Sequence, residues 1–570
     1  MIATYAAVLA VCGASLAIGQ AAIALCGIRR WSWLSPAVGL ALLCAICWGT
    51  VRLPGDGTVP AVLVLLLSIG AVLYLKGRVE DGREALVAGL PVALAALAAA
   101  SIPFAVEGHF GILGTSLNPD MSQHLLATDR LAHGEGGQLL NQGYPLGPHA
   151  VVVSLSAGLG IGLVQGFSGL TVAVAVLAPL AALSAFSEHP PLRRTAAALL
   201  VGLPYLVASY FGQGAFKETM QALFVLAFVL SLRETSQGPW RGLPLRFVPA
   251  ALIAVGSVYV YSFPGLIWLV GALLIWLALE RRVPLRPLLL AFIVFLVGAL
   301  PELGRMIDFQ RFETFDPDGP GLGNLFGQLS PFTALGIWPS GDYRLAPGDG
   351  MAPAFAYYFG AAFAALLLLY GLSRCIRTRE SAVLAAAAAA AGAYAAARAG
   401  GTPYTAAKAL EIAAPLVTLA ILLPLLRRPV AVLYILAAGG CSLLALANGP
   451  VGPTSYSPAL TGLRPLLERD ATLVLASDRL LTEEHGTPYL AWELRGGRVC
   501  IASEDSAGDS PPPGVRFVVV RGTPEQPPFS GLRVRRLASP YVLWEKTAPV
   551  RGPSPCPLIA VRQARQGPAG

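Results

Sequence analysis

A polar loop between two apolar stretches gathers most of the side chains that could do chemistry in this sequence. It spans residues 106–149 and carries carboxylates, imidazoles, a guanidinium group and a phenol. The candidates in it are Asp120, His124, Asp129, Arg130, His133, Tyr144 and His149. Carboxylates and imidazoles are the groups that most often move protons in active sites, so the loop favours general acid–base chemistry.

The tripeptide Asn118-Pro119-Asp120 begins a predicted helix that runs to about His133. Asn is a good N-cap, Pro suits the first helical position, and an acid in the first turn complements the helix dipole. As an isolated pattern the tripeptide favours a structural cap. It is also compatible with a general base at Asp120, because a helix start holds a carboxylate rigidly. His124 would then lie one turn later on the same face.

The chain around this loop has the composition of a membrane protein. Of its 570 residues, 55% are hydrophobic and 13% are charged, and the mean hydropathy is +0.64. Apolar runs of about 17 to 25 residues, long enough to cross a bilayer, recur up to Ala447. Mixed sequence follows. We therefore predict an all-α polytopic membrane domain, residues 1–448, and a small α/β domain, residues 449–570, with a disordered C-terminal end.

The basic residues indicate the topology. The net charge of +8 does not point to nucleic acid, because the basic residues cluster in short loops between apolar runs, as on the cytoplasmic side of membrane proteins. Alternation places the loops 106–149 and 303–350 and the tail outside, with about 13–14 crossings. Parity then requires that the segment 150–165 does not span. We expect a plasma membrane protein of a bacterial cell, with its site and tail on the extracytoplasmic side.

The tail reads as alternating short strands and one helix. The predicted strands are 472–476, 499–502, 517–520, 534–537 and 541–544, with a helix at 483–494. Six of the eight cysteines lie in or beside apolar segments, where they act as small hydrophobes. Cys500 and Cys556 lie in the tail and could pair if it faces an oxidising compartment.

Two lysines lie near the outer ends of predicted helices. Lys217 is followed by Glu218, and Lys408 is followed three residues later by Glu411. An ionisable group inside a membrane helix is a candidate functional residue, and a lysine can hold a phosphate as a point charge. Internal ion pairing and snorkelling of the side chain to the membrane surface remain the alternatives.

The loop 303–350 is long for a membrane connection, and such loops are often lids or binding elements. It carries charged residues at Arg305, Asp308, Arg311, Glu313, Asp316 and Asp318, and a segment with Trp338, Asp342, Tyr343 and Arg344. Aromatic rings can stack on sugar faces, while acids and arginines can bind hydroxyls and phosphate. We therefore expect this loop to contribute to binding.

Taken together, these features resemble the GT-C superfamily of membrane glycosyltransferases, which use polyprenyl-phosphate sugars as donors. The resemblance rests on the acid at Asp120 with His124 four residues on, on Ala127 to Gly134, and on the segment from Tyr144 to His149. The non-spanning helix after that segment and the tail beyond the last helix complete the arrangement. The protein mannosyltransferases, aminoarabinose transferases and arabinofuranosyltransferases are members of this type.

The resemblance implies an inverting glycosyltransferase in which Asp120 is the catalytic base, with His124 beside it. Lys217, Lys408 and Arg344 are the candidates for binding the donor phosphate. The candidates for binding substrate are Tyr144, His149, Glu218, Trp338, Asp342 and Tyr343. The acceptor would be a hydroxyl of a glycan, lipid or protein.

Many members carry two acids two residues apart, and this chain has Asn118 at the first position. A divalent cation such as Mg²⁺ or Mn²⁺, with Asp120 as one ligand, therefore stays open, since these ions prefer carboxylate oxygens. Two other functions also stay open. A lipid-linked polysaccharide ligase or polymerase would depend on Arg311 and Arg344, and a transporter of lipid or sugar would show inverted repeats with broken helices.

Overall fold

The computed structural model describes residues 1–114, 120–134, 138–238, 240–280, 284–311, 321–452, 458–467, 470–483, 486–505 and 507–557. Asn118 and the three acids of the segment 312–320 lie outside these residues, as does the end of the chain from residue 558. The predictions made for them stay predictions.

The chain up to residue 448 folds as a helical bundle. Its first helices are α1 (Ile2–Leu25), α2 (Ser35–Thr50), α3 (Thr58–Leu75), α4 (Gly82–Ala100), α5 (Ile102–Glu107), α6 (Asp120–Ala132), α7 (Gln138–Asn141), α8 (Gly147–Leu159), α9 (Leu163–Ala182), α10 (Pro191–Gly202) and α11 (Tyr205–Gly212). The remaining ones are α12 (Phe216–Ser236), α13 (Val248–Glu280), α14 (Leu285–Ala299), α15 (Leu303–Phe309), α16 (Ala354–Thr378), α17 (Ser381–Gly400), α18 (Pro403–Leu425) and α19 (Pro429–Ala447).

Ten helices of the described residues are long and apolar enough to cross a membrane. They are α1, α3, α4, α9, α13, α14 continued through α15, α16, α17, α18 and α19. The centre of the bundle is α9, whose most apolar window is 100% buried, whereas that of α3 is only 11% buried. Such exposed apolar helices suit contact with lipid. The chain is therefore a multi-pass membrane protein, as predicted.

The count of spans is lower than the predicted 13–14 for local reasons. α10 and α11 bend by 57° and count as one span at most. α2 has only 16 residues, and α12 carries charged residues in both its first and last turns. α8, in the segment predicted not to span, has 13 residues and a length of about 20 Å. The hydrocarbon core of a bilayer is about 30 Å thick, so α8 is too short to cross it.

The tail contains the predicted α/β sheet. Its strands are β3 (Ala471–Ala476), β4 (Arg498–Ser503), β5 (Phe517–Arg521), β6 (Leu532–Ala538) and β7 (Tyr541–Lys546). They lie in the order β4-β3-β5-β7-β6, with β3 parallel to β4 and β5 and the other pairs antiparallel. Three short helices, α20 (Pro458–Thr461), α21 (Arg464–Leu467) and α22 (Gly486–Glu493), complete this part. The predicted strands are all present, because β-branched runs between turn residues leave little alternative.

Two covalent or ionic features stabilise the sheet. A disulfide joins Cys500 on β4 to Cys556 near the end of the described chain. Glu545 on β7 accepts hydrogen bonds from Arg516 and Arg533, with Nη2 of each arginine 2.9 Å from the carboxylate. The disulfide resolves the pairing that the sequence left open, and such bonds are typical of proteins in oxidising compartments.

The tail is attached directly to the loop 106–149. Strand β1 (Ile112–Leu113) pairs with β2 (Val451–Gly452), and the amide of Gly114 donates to the carbonyl oxygen of Pro450 at 2.9 Å. Leu126 of α6 is buried in the same apolar cluster as residues of α22 and the sheet. The C-terminal domain therefore packs against the helix that carries Asp120.

Candidate active site

One cavity collects side chains from five parts of the chain. They come from α6, from the segment before α8, from the α11–α12 junction, from the loop after α15 and from the start of α18. The cavity has a volume of ≈ 50 Å³. It is lined by Asp120, Met121, His124, Tyr144, Tyr210, Gln213, Gly214, Ala215, Phe216, Lys217, Glu218, Asn324, Tyr343, Tyr404 and Lys408. Residues more than 280 positions apart in sequence thus meet at one site.

Three helices begin at this cavity. Asp120 is the first residue of α6, Phe216 is the first of α12, and Tyr404 is the second of α18. The first turn of a helix exposes unpaired N–H groups and carries partial positive charge. The three helix starts therefore make this end of the cavity favourable for an anion.

One face of helix α6 lines the cavity, and another contacts the C-terminal domain. Asp120 and His124, four residues apart, both line the cavity. Leu126 packs into the C-terminal domain, and a carboxylate oxygen of Asp129 lies 4.0 Å from Nε of Arg495. The domain thus supports the helix from the side opposite the cavity, which fixes the orientation of Asp120.

His124 is buried and pairs with a second histidine. Its Nδ1 lies 3.1 Å from Nε2 of His149, which is fully buried behind the cavity wall and does not line it. Burial lowers the pKa of His124 well below its usual range, and the neighbouring His149 and Lys217 lower the pKa further. The ring is therefore neutral at pH 7. One nitrogen faces His149, which leaves the other for a molecule in the cavity.

Lys217 is held against an aromatic ring. Its Nζ lies 3.8 Å from the ring centroid of Tyr144, and the lysine is only 8% exposed. A cation over an aromatic face is stabilised by the ring quadrupole without being neutralised by a negative charge. The neighbouring carboxylates of Glu218 and Asp120 also favour the charged form of Lys217, and the ring contact holds its ammonium group at the cavity, where it can attract an anion.

Lys408 is held differently, by an acid and a ring together. Its Nζ lies 2.9 Å from a carboxylate oxygen of Glu218 and 4.2 Å from the ring centroid of Tyr404. Glu218 is the residue after Lys217, so α12 supplies both Lys217 and the acid that pairs with Lys408 of α18. This arrangement keeps two ammonium groups at one cavity without placing two unbalanced charges in an apolar bundle.

Arg305 positions the Tyr144 segment. Its guanidinium group donates to the carbonyl oxygens of Leu140 at 2.9 Å and Tyr144 at 2.6 Å. Nε of the same group lies 3.3 Å from the carboxylate of Glu302, which also accepts a hydrogen bond from the indole of Trp48. The start of the loop 303–350 therefore anchors the residue on which Lys217 rests.

The remaining candidates of that loop are divided. Tyr343 lines the cavity, with its ring centroid 5.0 Å from that of Tyr210. Arg344 does not line it, because its Nη2 is 2.6 Å from the carboxylate of its near neighbour Asp342. Trp338 is also absent from the lining and packs edge-on against Tyr357. Among the described residues, Trp338, Asp342 and Arg344 are thus not part of the cavity lining, and their predicted roles in binding stay predictions.

Four polar lining residues were not predicted from the sequence: Tyr210, Gln213, Asn324 and Tyr404. They are uncharged and lie in short, unremarkable segments, so composition gives no signal for them. The nearest signal is glycine, which flanks Gln213 on both sides and precedes Asn324.

A metal ion is not assigned to the site. No three His, Cys, Asp or Glu side chains come together as a metal-binding group in the described part of the chain. Asn118, at the first position of the acid pair that the resemblance implies, lies outside that part. The divalent cation therefore stays a prediction.

No protein-family model matches the sequence, and no curated protein does. A solved structure does match the fold: the arabinofuranosyltransferase AftD from Mycobacteria, determined by single-particle cryo-EM. The two share a TM-score of 0.51 at 15% sequence identity, over 81% of this chain and 40% of the other. This chain thus spans about two fifths of the length of that enzyme. The likeness shows the fold alone: over the matched part, this chain shares the polytopic helical fold of that arabinofuranosyltransferase, as the sequence predicted.

Proposed function

We propose that the protein is a membrane glycosyltransferase that moves one sugar from a polyprenyl-phosphate donor to a hydroxyl acceptor. The observation that carries the proposal is the meeting of Asp120, Lys217 and Lys408 at one cavity. A carboxylate and two ammonium groups in one cavity suit such a transfer, since a proton leaves one reactant and negative charge develops on the other.

In the proposed reaction, Asp120 accepts the proton of the acceptor hydroxyl while that oxygen attacks the anomeric carbon of the donor. A new carbon–oxygen bond forms, and the bond between the anomeric carbon and the phosphate oxygen breaks. The polyprenyl phosphate leaves with the bonding electron pair, stabilised by Lys217 and Lys408. Attack opposite the leaving group inverts the anomeric centre.

The helix starts add to the lysines. Three of them point partial positive charge at the cavity, and Lys217 is held on an aromatic ring rather than in a tight acid pair. His124 can donate or accept one hydrogen bond from its free nitrogen without changing charge. The lipid tail of the donor would lie against the apolar surface of the neighbouring helices.

The disulfide supports an extracytoplasmic site. It lies in the domain that packs against α6, so the domain and the cavity lie at the same end of the bundle. We propose that this end faces the cell exterior, where disulfides persist and lipid-linked sugars are consumed.

The competing ligase or polymerase function has less support in the geometry. It would depend on free arginines, and Arg344 is paired with Asp342 while Arg311 is exposed beyond the end of α15. Asp342 and Arg344 fit a role in shaping the loop that carries Asn324 and Tyr343.

The test is transfer by purified Asp120→Asn protein. We expect transfer to fall by about 10²- to 10⁴-fold, the usual contribution of a general base, while the melting temperature is unchanged. Glu107→Gln is the matched control, because that carboxylate is exposed in the same loop and does not line the cavity. Equal activity of the two variants would remove Asp120 from the role of base.

A further inference from the structure

Two buried amide oxygens of residues that line the cavity have no hydrogen-bond partner in the described part of the chain. They are Oε1 of Gln213 and Oδ1 of Asn324. Gln213 as a whole is 6% exposed. A buried polar atom without a partner is costly, so its persistence next to a cavity indicates that a ligand supplies the partner.

The backbone around Gln213 is built to place it. Gly114 and Gly214 both have positive φ, 78° and 74°, and their backbones pass in direct contact. A Cβ on Gly114 would overlap the carbonyl oxygen of Gln213, and one on Gly214 would overlap that of Leu113. Only glycine fits such a crossing, since it has no side chain and adopts positive φ freely.

The backbone around Asn324 is fixed in a similar way. Gly323 has φ of 56° and lies against the ring of Tyr404, which a Cβ would approach to 2.6 Å. Nη1 of Arg344 donates to the carbonyl oxygen of Asn324 at 3.4 Å. Arg344, which pairs with Asp342, thus helps to hold the loop segment that carries Asn324.

The chemistry of these two atoms selects the kind of ligand. An amide oxygen only accepts hydrogen bonds, as do the oxygens of an ionised phosphate, so the two cannot pair. Hydroxyl groups can donate to it. Lys217 and Lys408 line the same cavity, and their ammonium groups suit the phosphate.

We propose that Gln213 and Asn324 form a subsite that binds two hydroxyl groups of the donor sugar. This inference rests on the proposed function. The sugar is joined covalently to the phosphate, so a phosphate held by the two lysines brings the sugar ring into the same cavity. Each amide then accepts a hydrogen bond from one ring hydroxyl and thereby selects the sugar.

Binding of short-chain donor analogues tests the subsite without any need for transfer. The probes are farnesyl phosphate and its esters with D-arabinofuranose and D-mannose, titrated by calorimetry into full-length protein without acceptor. We expect the protein to bind at least one sugar ester more tightly than farnesyl phosphate alone. One hydrogen bond corresponds to about a fivefold to tenfold gain in affinity.

The variants are Gln213→Met and Asn324→Leu, which keep the volume of the side chain and remove the acceptor. Each should lower the preference for the sugar ester by about fivefold to tenfold and leave the affinity for farnesyl phosphate alone unchanged. Gln142→Met is the matched control, because Oε1 of Gln142 is also buried without a partner in the described residues but does not line the cavity. That variant should bind every probe as the wild type does.

Deoxy analogues of the tighter-binding ester give a second arm in the wild-type protein. Removal of one hydroxyl group should lower the affinity of the wild type by the same factor as Gln213→Met does for the full ester. The deoxy ester and Gln213→Met combined should lower the affinity no more than either change alone. Equal affinity of the wild type for ester and farnesyl phosphate would overturn the subsite. Variants that weaken the binding of the ester and of farnesyl phosphate equally would also overturn it. So would variants that change only the binding of a free methyl glycoside, used as an acceptor probe.

The result separates the subsite from the reaction. Binding that depends on Gln213 in a wild-type protein without transfer activity would retain the subsite and contradict the proposed function. Transfer by Gln213→Met with unchanged sugar preference would retain the function and contradict the subsite.

Discussion

Replacing Arg305 with alanine should both destabilise the protein and reduce transfer. The guanidinium group holds the carbonyl oxygens of Leu140 and Tyr144 at 2.9 and 2.6 Å and lies 3.3 Å from Glu302. Glu302 is only 4% exposed, so the variant would leave its charge with the hydrogen bond from the indole of Trp48 and the attraction of Arg52. Removing one partner of a buried ion pair costs about 3–5 kcal/mol.

A second variant separates the cost of the unpaired Glu302 charge from the cost of the lost hydrogen bonds to the carbonyl oxygens. Arg305→Ala combined with Glu302→Gln removes the uncompensated charge, and we expect it to recover a part of the loss. The coupling between the two positions should be about 0.5–3 kcal/mol, the range for residues in direct contact. Arg305→Lys keeps the charge but cannot hold both carbonyl oxygens, and it should fall between wild type and alanine.

The assay is the free energy of unfolding in mixed micelles, measured by titration with denaturing detergent, together with the donor KM and kcat. Loosening of Tyr144 should raise the donor KM, because Lys217 rests on that ring. Arg311→Ala is the control on the same loop, and as an exposed residue it should change stability by less than about 0.5 kcal/mol. A stable Arg305→Ala protein with unchanged donor KM would refute the reasoning.

Three further outcomes follow from other parts of the structure. Loss of the disulfide, by reduction or by replacing both cysteines with serine, should lower the melting temperature of the C-terminal domain. The reason is that closing a loop with a sequence separation of 56 stabilises the fold by about 4 kcal/mol. An unchanged melting curve would contradict this. Hydrogen bonds from Arg516 and Arg533 hold the pKa of Glu545 below its ordinary 4.5, so this contribution to stability is present above pH 4.5 and is lost as the pH falls through the lowered pKa; Glu545→Gln should flatten the dependence of melting temperature on pH in that acid range, and a persistent slope would argue against it. Gly114→Ala should reduce stability and transfer far more than Gly134→Ala, because both glycines have positive φ but only the first faces another backbone; equal losses would show that strain alone decides the effect.

The fold was largely predictable because hydropathy and charge record the membrane directly. Apolar runs gave the bundle, and the strands of the tail followed from their β-branched residues. The charge rule also singled out the segment 150–165, where the structure has the short helix α8. The number of spans was less predictable, since the bend between α10 and α11 depends on how the chain packs around Pro204.

The charged part of the site was predictable for the same physical reason. An ionisable residue in an apolar helix is costly, so Lys217 and Lys408 are conspicuous in the sequence, and the structure places both at the cavity with Asp120. The sequence does not show which charges neutralise each other within a loop. Arg344 was expected to bind the phosphate; it pairs with Asp342 and is not among the residues that line the cavity, so its role in phosphate binding stays a prediction.

The neutral part of the site could not be found from sequence. Gln213 and Asn324 are ordinary residue types, and their burial without partners is a property of three-dimensional packing. The glycines beside them are visible in the sequence, but a glycine indicates a turn or a close contact without naming its partner. Tyr404 is similar, since its role as a surface for Lys408 depends on the helix start that precedes it.

The most direct measurement is a cryo-EM structure of the protein with a non-transferable sugar ester of farnesyl phosphate. The account predicts the phosphate within hydrogen-bonding reach of Lys217 and Lys408, with the anomeric carbon between that phosphate and Asp120. Density for the ester in another groove, or with its sugar turned away from Asp120, would contradict it.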